Sequence, residues 1–447
     1  MTSIARNCLV ILVGALLAAL LMACGKSTTL YSSNNPSVFY AHSVAIQGNS
    51  TFAWGANTYG QLGNGDTKGT TQYVPVPVIG NAATGMAGVS AGGTHTLAFQ
   101  NNGSVLAWGN NAFGQLGNNS STATSTPVQV FTGTDGTPLS AITAVSAGFN
   151  HSLALRNDAT VWSWGSNSEG QLGFDPTATV SESIAVQVLV NGIGSIGLTG
   201  VTAVSAGGAH SIALLSNGQA MSWGSDTEGQ LGINNAQTTY YIPTTVCIAP
   251  AYATPTGNGT QALVGVTAIA AGGSHSLFLT NGTTANGTSA QVWASGNNGY
   301  GQLGNGNTTN QSGVVPVSIT GTVLAIAAGL DHSLALVDDG SHVTGTVWAW
   351  GYNYYGQLGN GGALTFTPFT SPAQVLKSDS TALTGITTIV AIGNHNLAVD
   401  SNGQLWTWGD NGYGELGLAV NDGNNRAYAT GVPSLASSVI LYATGVP

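Results

Sequence analysis

The sequence predicts an all-β protein: a seven-bladed β-propeller of four-stranded antiparallel blades, closed by the C-terminal strand. Charged residues make up only 5% of the chain, against about 25% in typical soluble domains, and helices need such residues on their outer faces. Glycine contributes 65 of 447 residues, which suits a fold with many tight turns. A unit of about 55 residues also recurs along the chain. Together these observations exclude a helix-rich fold.

Two phrases define the repeated unit. The first, Trp-Gly-x-Asn-x-x-Gly-Gln-Leu-Gly, occurs seven times, and single copies carry Asp226 for the asparagine, Ser295 for the tryptophan and Glu415 for the glutamine. Its copies span residues 54–63, 108–117, 164–173, 223–232, 295–304, 350–359 and 408–417. The second phrase, Ala-Gly-x-x-His-Ser-Leu-Ala, precedes most copies.

Each unit reads as four short strands. Alternating segments such as residues 201–206 and 210–215 are separated by glycines, and Asn217-Gly218 is a strong hairpin signal. Four short strands cannot bury their faces alone, so the units must pack on one another. Four-stranded sheets repeated in this way predict a propeller over residues 37–447.

The two ends of the chain complement each other. Residues 439–445 match residues 201–207 without a gap, whereas the first unit begins at His42 and lacks this strand. We expect the last strand to complete the first blade and so remove an open sheet edge. Deleting residues 433–447 is therefore predicted to destabilise the whole ring.

The repeats place a histidine in every unit and a tryptophan in six of them. The histidines are His42, His95, His151, His210, His275, His332 and His395, and the tryptophans are Trp54, Trp108, Trp164, Trp223, Trp350 and Trp408. Equivalent positions around a ring lie too far apart to share a metal ion. We interpret each histidine as structural, hydrogen-bonded to backbone at a tight turn, and each tryptophan as packing between neighbouring blades.

No enzyme is predicted. Zinc-ligand spacing, a phosphate-binding loop, a nucleophile motif in a strand–turn–helix setting and a paired-carboxylate site are all missing from the sequence. No metal and no cofactor are expected. A hydrolase or a glycan-binding module stays open as a further possibility, which requires convergent carboxylates or a stacked aromatic platform on one face.

The position before each Gly-Gln-Leu-Gly varies between units. It holds Tyr59, Phe113, Glu169, Glu228, Tyr300, Tyr355 and Tyr413 in chain order, and Tyr352 and Tyr354 add two aromatic residues to the sixth unit. Aromatic residues are favoured at protein contacts. Our hypothesis is that Tyr59, Phe113, Tyr300, Tyr352, Tyr355 and Tyr413 form an aromatic crescent, flanked by Glu169 and Glu228, that binds a partner. A purely structural role at these positions is the alternative.

The long connections are a second variable element. Residues 233–263, 281–290 and 338–345 are insertions, where function often lies on a rigid scaffold. The equally open alternative is that these insertions are Thr- and Asn-rich surface segments without a function of their own.

The N-terminus predicts export and lipid anchoring. An apolar run over residues 9–22 has the length of a signal-peptide core and is short for a membrane span. It ends in Leu21-Met22-Ala23-Cys24-Gly25, which resembles the lipobox of bacterial lipoproteins. We therefore predict a signal peptide over residues 1–23, an acylated Cys24 and a polar tether over residues 24–36. An ordinary cleaved signal or an uncleaved anchor is the alternative.

The cysteine content and the net charge limit the kinds of partner that the protein is expected to bind. Once Cys8 leaves with the leader and Cys24 is acylated, Cys247 stands alone and is expected to be a small buried hydrophobe. Six lysines and arginines face 16 acidic residues, for a net charge of −10, and the basic residues form no cluster of the kind that binds phosphates. We expect a monomer with a protein partner, no nucleic acid, and membrane contact through the lipid alone.

The two repeated phrases resemble the signature of the regulator of chromosome condensation repeat family. The resemblance covers residues 38–447 and implies a seven-bladed propeller that binds proteins through its loops. It also implies the alternative of guanine-nucleotide exchange on a small GTPase, as in eukaryotic members. That activity needs an acidic residue and a β-wedge, and Glu169, Glu228, Asp331, Asp338 and Asp339 are candidates only by composition. The sequence thus predicts a non-enzymatic interaction scaffold at the bacterial cell envelope, in the periplasm or at the cell surface.

Overall fold

The computed structural model describes residues 24–25, 41–80, 84–190, 196–235, 237–250, 261–281, 292–362, 364–419, 422–435 and 439–441. These residues are almost entirely β-structure, and the one helix among them with described bounds is a single 3₁₀ turn, Pro433–Leu435. Every sequence unit forms a four-stranded antiparallel sheet, called here sheet 1 to sheet 7 in chain order. The predicted all-β fold of repeated four-stranded sheets is confirmed.

The strands follow the repeat closely. Sheet 1 consists of Val439–Ile440, His42–Gln47, Ser50–Gly55 and Gln72–Pro77. Sheet 2 consists of Met86–Ala91, His95–Gln100, Val105–Gly109 and Thr124–Gln129. Sheet 3 consists of Ile142–Ala147, His151–Arg156, Val161–Ser166 and Ser181–Gln187. Sheets 4 and 5 consist of Val201–Ala206, His210–Leu215, Ala220–Ser225 and Thr239–Thr245; and Val266–Ala271, His275–Thr280, Val292–Gly296 and Gln311–Pro316. Sheets 6 and 7 consist of Val323–Ala328, His332–Asp338, Gly345–Gly351 and Phe369–Gln374; and Ile386–Ile392, His395–Asp400, Leu405–Gly409 and Arg426–Gly431.

Three short additions extend this pattern. Cys24–Gly25 pairs in parallel with Val89 and Ser90 at the free side of the first strand of sheet 2. Cys247–Ile248 and Gln261–Ala262 form a hairpin, and Ile248 pairs in parallel with Val314 at the outer strand of sheet 5. One insertion of the sequence therefore widens a sheet.

The first strand of sheet 1 comes from the C-terminal end of the described chain. Val439 and Ile440 pair antiparallel with Gln47 and Ile46. The match between residues 439–445 and residues 201–207 thus corresponds to an observed strand pairing. Residues 442–447 lie outside the described part of the chain.

The second strand of each sheet is buried on both faces, as in the pattern of His151–Arg156, where only the last residue is partly exposed. This burial explains the continuous run His-Ser-Leu-Ala-Leu, because a sheet covered on both sides needs apolar residues at successive positions. The fourth strands are half-exposed edges, as in Thr124–Gln129.

The Trp-Gly pair produces a bulge between the third and fourth strands. In sheet 3 the register shifts between Ser163 and Gly165, on either side of Trp164. Gly165 has φ of +98°, a conformation that glycine adopts without strain. Bulges re-aim side chains, and here the tryptophan points away from its own ladder into the space between sheets, where it is fully buried.

Consecutive sheets are joined by one repeated contact. The indole Nε1 of each tryptophan donates to the main-chain oxygen of the glutamine, or of Glu415, in the Gly-Gln-Leu-Gly loop of the preceding sheet, at 2.7–3.0 Å. In sheet 5, where Ser295 replaces the tryptophan, its hydroxyl lies 3.5 Å from the oxygen of Gln230. Trp54 of sheet 1 makes this contact with Glu415 of sheet 7.

The histidines bond side chains of the next sheet, and the expectation of backbone partners is wrong. Each Nε2 lies 2.7–3.0 Å from the side-chain oxygen of the residue that follows the next histidine, as His151 does from Ser211. The Ser211 hydroxyl donates to the oxygen of Gln171, so it must accept its second bond from Nε2–H. The turn backbone was expected as partner because the sequence does not show which side chain of another unit faces the ring.

Burial keeps these rings neutral. It lowers the pKa of His42, His95, His151, His210 and His395 to about 3. A neutral imidazole with no exposed surface cannot reach a substrate.

The part of the chain that the structure describes contains no helix with the length and apolar character of a membrane span.

Candidate functional site

The seven variable loop positions share one local geometry. The main-chain N–H of each donates to the side chain two residues later, glutamine in six sheets and Glu415 in the seventh, at 2.8–2.9 Å. The residues concerned are Tyr59, Phe113, Glu169, Glu228, Tyr300, Tyr355 and Tyr413. They therefore present their side chains at the same edge of every sheet.

The loop that carries them is held from below. In sheet 5 the Asn298 Oδ1 accepts the N–H of Leu303 at 3.0 Å, and Leu303 is fully buried. Gly301 has φ of +81°, and a Cβ there would lie 2.8 Å from the Cα of Thr370 in the next sheet. The loop thus leans on its neighbour, and little motion is available to the residue that it presents.

The aromatic side chains converge on sheets 5 and 6. The ring centroid of Tyr300 lies 4.5 Å from that of Tyr352, which lies 6.2 Å from Tyr355 and 6.4 Å from Tyr354. Phe366 stacks on Tyr354, with centroids 4.3 Å apart and planes at 23°. These five residues are called the aromatic patch: Tyr300, Tyr352, Tyr354, Tyr355 and Phe366.

The patch is part core and part surface. Tyr300, Tyr352 and Tyr355 are half-buried, whereas Tyr354 is 40% and Phe366 is 62% exposed. Leu364 beside them is 47% exposed. The inner tyrosines therefore support the outer two rings, which are the surface that a partner can reach.

The structure brings together three of the residues predicted for partner binding: Tyr300, Tyr352 and Tyr355. Tyr59, Phe113 and Tyr413 occupy the equivalent loop position on sheets 1, 2 and 7. Phe366 was missed, because it lies in a connection without a repeated motif. A run of apolar and aromatic residues in that connection, Leu364 and Phe366, was the available signal.

Two acidic side chains lie beside the tyrosines. Burial raises the pKa of Asp331 to about 6, and its Oδ1 accepts a hydrogen bond from Gln302 Nε2 at 3.3 Å. Burial, and to a smaller extent the charge of Asp331, raise the pKa of the Tyr300 and Tyr352 hydroxyls. Asp410 has a similar effect on Tyr355. The patch therefore carries negative potential and would favour a cationic group.

Asp410 belongs to a second acidic feature. Burial raises its pKa, and burial together with the Asp410 charge raises the pKa of Glu415 to about 8. The Glu415 Oε2 accepts the N–H of Tyr413, while Oε1 is buried with no hydrogen-bond partner. In sheet 5 the equivalent pair, Gln302 and Asn297, makes an amide hydrogen bond of 2.8 Å. Two carboxyl groups in this arrangement favour a protonated Glu415.

The predicted flanking acids, Glu169 and Glu228, belong to the loops of sheets 3 and 4. Glu169 borders a polar depression with Asn150, Gln171 and residues of sheets 4 and 5, and burial raises its pKa. Glu228 accepts a hydrogen bond from Asn310 Nδ2 at 2.5 Å.

The remaining predicted sites have little chemistry in the described structure. Cys247 is half-buried and a free thiol, less enclosed than expected because it begins the short hairpin on sheet 5, and burial raises its pKa. No group of three or more His, Cys, Asp or Glu side chains that could hold a metal occurs among the described residues. The predicted leader, residues 1–23, and most of the tether lie outside the described residues, and acylation of Cys24 stays a prediction.

Comparisons with known proteins agree with this architecture. The sequence model of the RCC1-like domain matches residues 138–445, and the regulator of chromosome condensation (RCC1) repeat matches residues 49–99 and 102–155. The probable E3 ubiquitin-protein ligase HERC6 of Homo sapiens is 33% identical over 301 residues, which are 67% of this chain and 26% of that protein. The ultraviolet-B receptor UVR8 of Arabidopsis thaliana is 27% identical over 74% of this chain and 67% of its own length. This chain thus spans about a quarter of HERC6.

Two solved structures share the fold. Human WBSCR16 superposes with a TM-score of 0.66 at 21% identity, over 86% of this chain and 94% of that one. Prp20p of Saccharomyces cerevisiae superposes with a TM-score of 0.66 at 22% identity, over 87% of each chain. The two phrases, the four-stranded sheets and the family match lead to one conclusion: this chain belongs to the regulator of chromosome condensation (RCC1) repeat family.

Proposed function

We propose that the seven sheets close into a seven-bladed propeller and that this ring is a non-enzymatic protein-interaction scaffold. Two contacts between sheet 7 and sheet 1 support closure. Trp54 Nε1 donates to the oxygen of Glu415 at 2.7 Å, and the Ser43 hydroxyl bonds His395 Nε2 at 2.8 Å. Both contacts have counterparts between the other consecutive sheets, with Ser295 in place of the tryptophan in sheet 5.

The aromatic patch is the observation that carries the binding function. Tyr354 and Phe366 expose large apolar rings at a site held by packed tyrosines. Aromatic residues on a rigid support lose little conformational entropy on binding, and they dominate the energetics of protein interfaces. Buried neutral histidines offer no general base, so binding accounts for the surface better than catalysis does.

The charge around the patch specifies the partner further. The charges of Asp331 and Asp410 act on the hydroxyls of Tyr300 and Tyr355, and the chain as a whole has a net charge of −10. A cation over a tyrosine face is stabilised by the ring quadrupole, the more so when desolvated. We therefore propose a protein segment that inserts a lysine or arginine among the rings.

One structural relative is itself described as a protein that binds other proteins. The Prp20p structure is reported with its binding properties to Gsp1p and histones. At 22% identity this likeness shows the fold alone. Guanine-nucleotide exchange, as in eukaryotic members of the family, is therefore kept as the alternative and is tested by nucleotide release from a purified GTPase.

A glycan-binding module is a second candidate that one observation favours. Tyr354 and Phe366 stack on each other with 23° between their planes, and exposed flat rings are also platforms for sugars. The carboxylates Asp331 and Asp410 favour a cation over a neutral sugar, which places the protein partner first.

Export and anchoring complete the proposal. The lipobox-like segment that ends at Cys24 supports a lipoprotein at the bacterial cell envelope. A Cys24→Ala variant is expected to leave the membrane fraction and to appear in soluble extracts. Retention of this variant in membranes would contradict the lipid anchor without bearing on the aromatic patch.

The test of the binding function is cross-linking and capture from intact cells. The binding variant is Tyr354→Ala with Phe366→Ala, two exposed rings whose loss leaves the tyrosine layer in place. The matched control is Val180→Ala with Val343→Ala, which removes two apolar side chains that are 67% and 64% exposed elsewhere.

We expect a discrete protein partner to be captured by the wild type and by the control, and its yield to fall at least about tenfold with the binding variant. Equal capture by all three proteins would refute the assignment of the patch. Recovery of a GTPase with nucleotide release, or of glycans alone, would replace the scaffold with one of the two alternatives.

A further inference from the structure

One asparagine of the repeat organises the loop that follows it. In sheet 5, Asn298 Nδ2 donates to the main-chain oxygens of Asn307 at 3.0 Å and Thr309 at 3.1 Å. In sheet 2, Asn111 Nδ2 donates to the oxygens of Ser120 and Thr122. The loop thus wraps its oxygen atoms around an amide that supplies two protons.

Sheet 4 has a carboxylate at this position. Asp226 Oδ1 accepts the N–H of Leu231 at 2.9 Å, as the asparagine oxygen does in other sheets. The Asp226 N–H donates to the oxygen of Thr238 at 2.7 Å, so the loop still returns to this side chain. Where the other sheets have an N–H₂ group, Asp226 has Oδ2, which carries no proton when ionised.

Oδ2 is buried and has no hydrogen-bond partner, and the whole residue is 4% exposed. A second oxygen nearby is in the same condition: the hydroxyl of Tyr240 is buried without a partner, and the Asp226 charge contributes to the rise of its pKa. Buried polar atoms are nearly always satisfied. A positively charged species bound at Oδ2 would supply the partner that this buried oxygen lacks.

There is room for such a species. Asp226 and Glu228 border the same cavity of about 260 Å³, together with Asn235, Gln237 and Asn310. Glu228 is held at its edge by Asn310 Nδ2. The cavity is therefore lined by two carboxylates and by neutral oxygen-bearing side chains.

Oxygen ligands select hard cations. Calcium takes six to eight oxygens at about 2.3–2.6 Å in flexible geometry, whereas magnesium requires a near-ideal octahedron. Softer metals prefer sulfur or imidazole, and neither borders this cavity. We propose that Asp226, with Glu228 and the surrounding oxygens of Asn235, Gln237 and Asn310, forms a calcium site.

The site has few charges, and its affinity follows from that. A calcium site with only two carboxylates is weak, with a Kd for calcium of about 10⁻⁴–10⁻³ M. Bound calcium neutralises Asp226 and fixes the loop to sheet 4. The proposal is independent of partner binding at the aromatic patch, which lies on sheets 5 and 6.

The experiment uses the full folded chain, stripped with EDTA and dialysed at pH 8. Thermal unfolding is followed with CaCl₂, and with MgCl₂ at equal ionic strength, for the wild type, Asp226→Asn and Asp175→Asn. Asp226→Asn restores the residue that the other six repeats have, so it is expected to fold. Asp175→Asn changes a partly exposed acid in the equivalent loop of sheet 3 and is the matched control.

Calcium at about 100 times Kd should raise the Tm of the wild type by about 3 °C for a cooperative unit of about 400 residues. The control should shift equally, Asp226→Asn should not shift, and Glu228→Gln should bind roughly fivefold or more weakly by titration calorimetry. Absence of a wild-type shift, an equal shift in Asp226→Asn, or an equal response to magnesium would overturn the proposal.

Discussion

Replacing Glu415 with glutamine should stabilise the protein in a pH-dependent way. Glu415 is fully buried and stands where the other six sheets have glutamine. Its pKa is raised from 4.5 to about 8, first by burial and then by the charge of Asp410. In the unfolded chain the same group ionises near its ordinary value, so between these two pH values the folded state binds a proton that the unfolded state does not.

The sign follows from this difference in bound protons. Stability changes with pH in proportion to the protons bound by the unfolded state minus those bound by the folded state. For Glu415 this difference is negative, so its effect is absent below pH 4.5 and lowers stability progressively as pH rises to about 8. The whole shift corresponds to roughly 5 kcal/mol, and relaxation and water penetration reduce the expected loss to about 2–3 kcal/mol.

Glutamine removes the ionisable group and keeps the acceptor for the Tyr413 N–H. We expect Glu415→Gln to exceed the wild type by about 2–3 kcal/mol at pH 8 and to match it within about 0.5 kcal/mol at pH 4.5. Urea unfolding of both proteins at the two pH values measures the difference. The reverse change, Gln115→Glu, is the matched control, because Gln115 Nε2 has no partner to lose, and it should destabilise more at pH 8. A gain that is equal at both pH values would refute the reasoning.

Two further predictions concern the contacts between sheets. Ser211→Ala removes the hydroxyl that accepts a hydrogen bond from His151 and donates one to Gln171. We expect urea unfolding to show a loss of about 1–3 kcal/mol in stability, because a buried ring N–H is left unpaired. A loss no larger than that of the exposed control Ser168→Ala would contradict this prediction. Deletion of residues 433–447 removes the pairing of Val439–Ile440 and the buried Leu435 and Leu441, and we expect Tm to fall by about 5 °C or more in one cooperative transition. An unchanged Tm would contradict a role of this strand in closing the ring.

Most of the fold could be predicted from the sequence, because each strand and bulge requires particular residues at fixed positions of the repeat. A sheet buried on both faces requires the continuous apolar run after each histidine, and a bulge with positive φ requires the glycine after each tryptophan. These requirements act within one unit, between residues close in sequence. Seven registered copies then made the four-stranded sheets readable without coordinates.

The partners of the buried polar groups could not be predicted in this way. His151 bonds Ser211, 60 residues away, and the backbone was the wrong expectation because nothing local specifies a contact between units. Only packing of one sheet on the next brings the imidazole, the hydroxyl and the glutamine oxygen together.

The proposed binding surface was also predicted only in part from the sequence. The loop position before Gly-Gln-Leu-Gly identified Tyr300 and Tyr355 as surface candidates, because a variable residue on a repeated loop stands out in the sequence. Phe366 joined them only through the path of a non-repeated connection, which stacks its ring on Tyr354. The consequence of Glu415 likewise depends on burial. A carboxylate in place of an amide is a minor change in the sequence, and it becomes a raised pKa only where the tertiary structure removes water and hydrogen-bond donors.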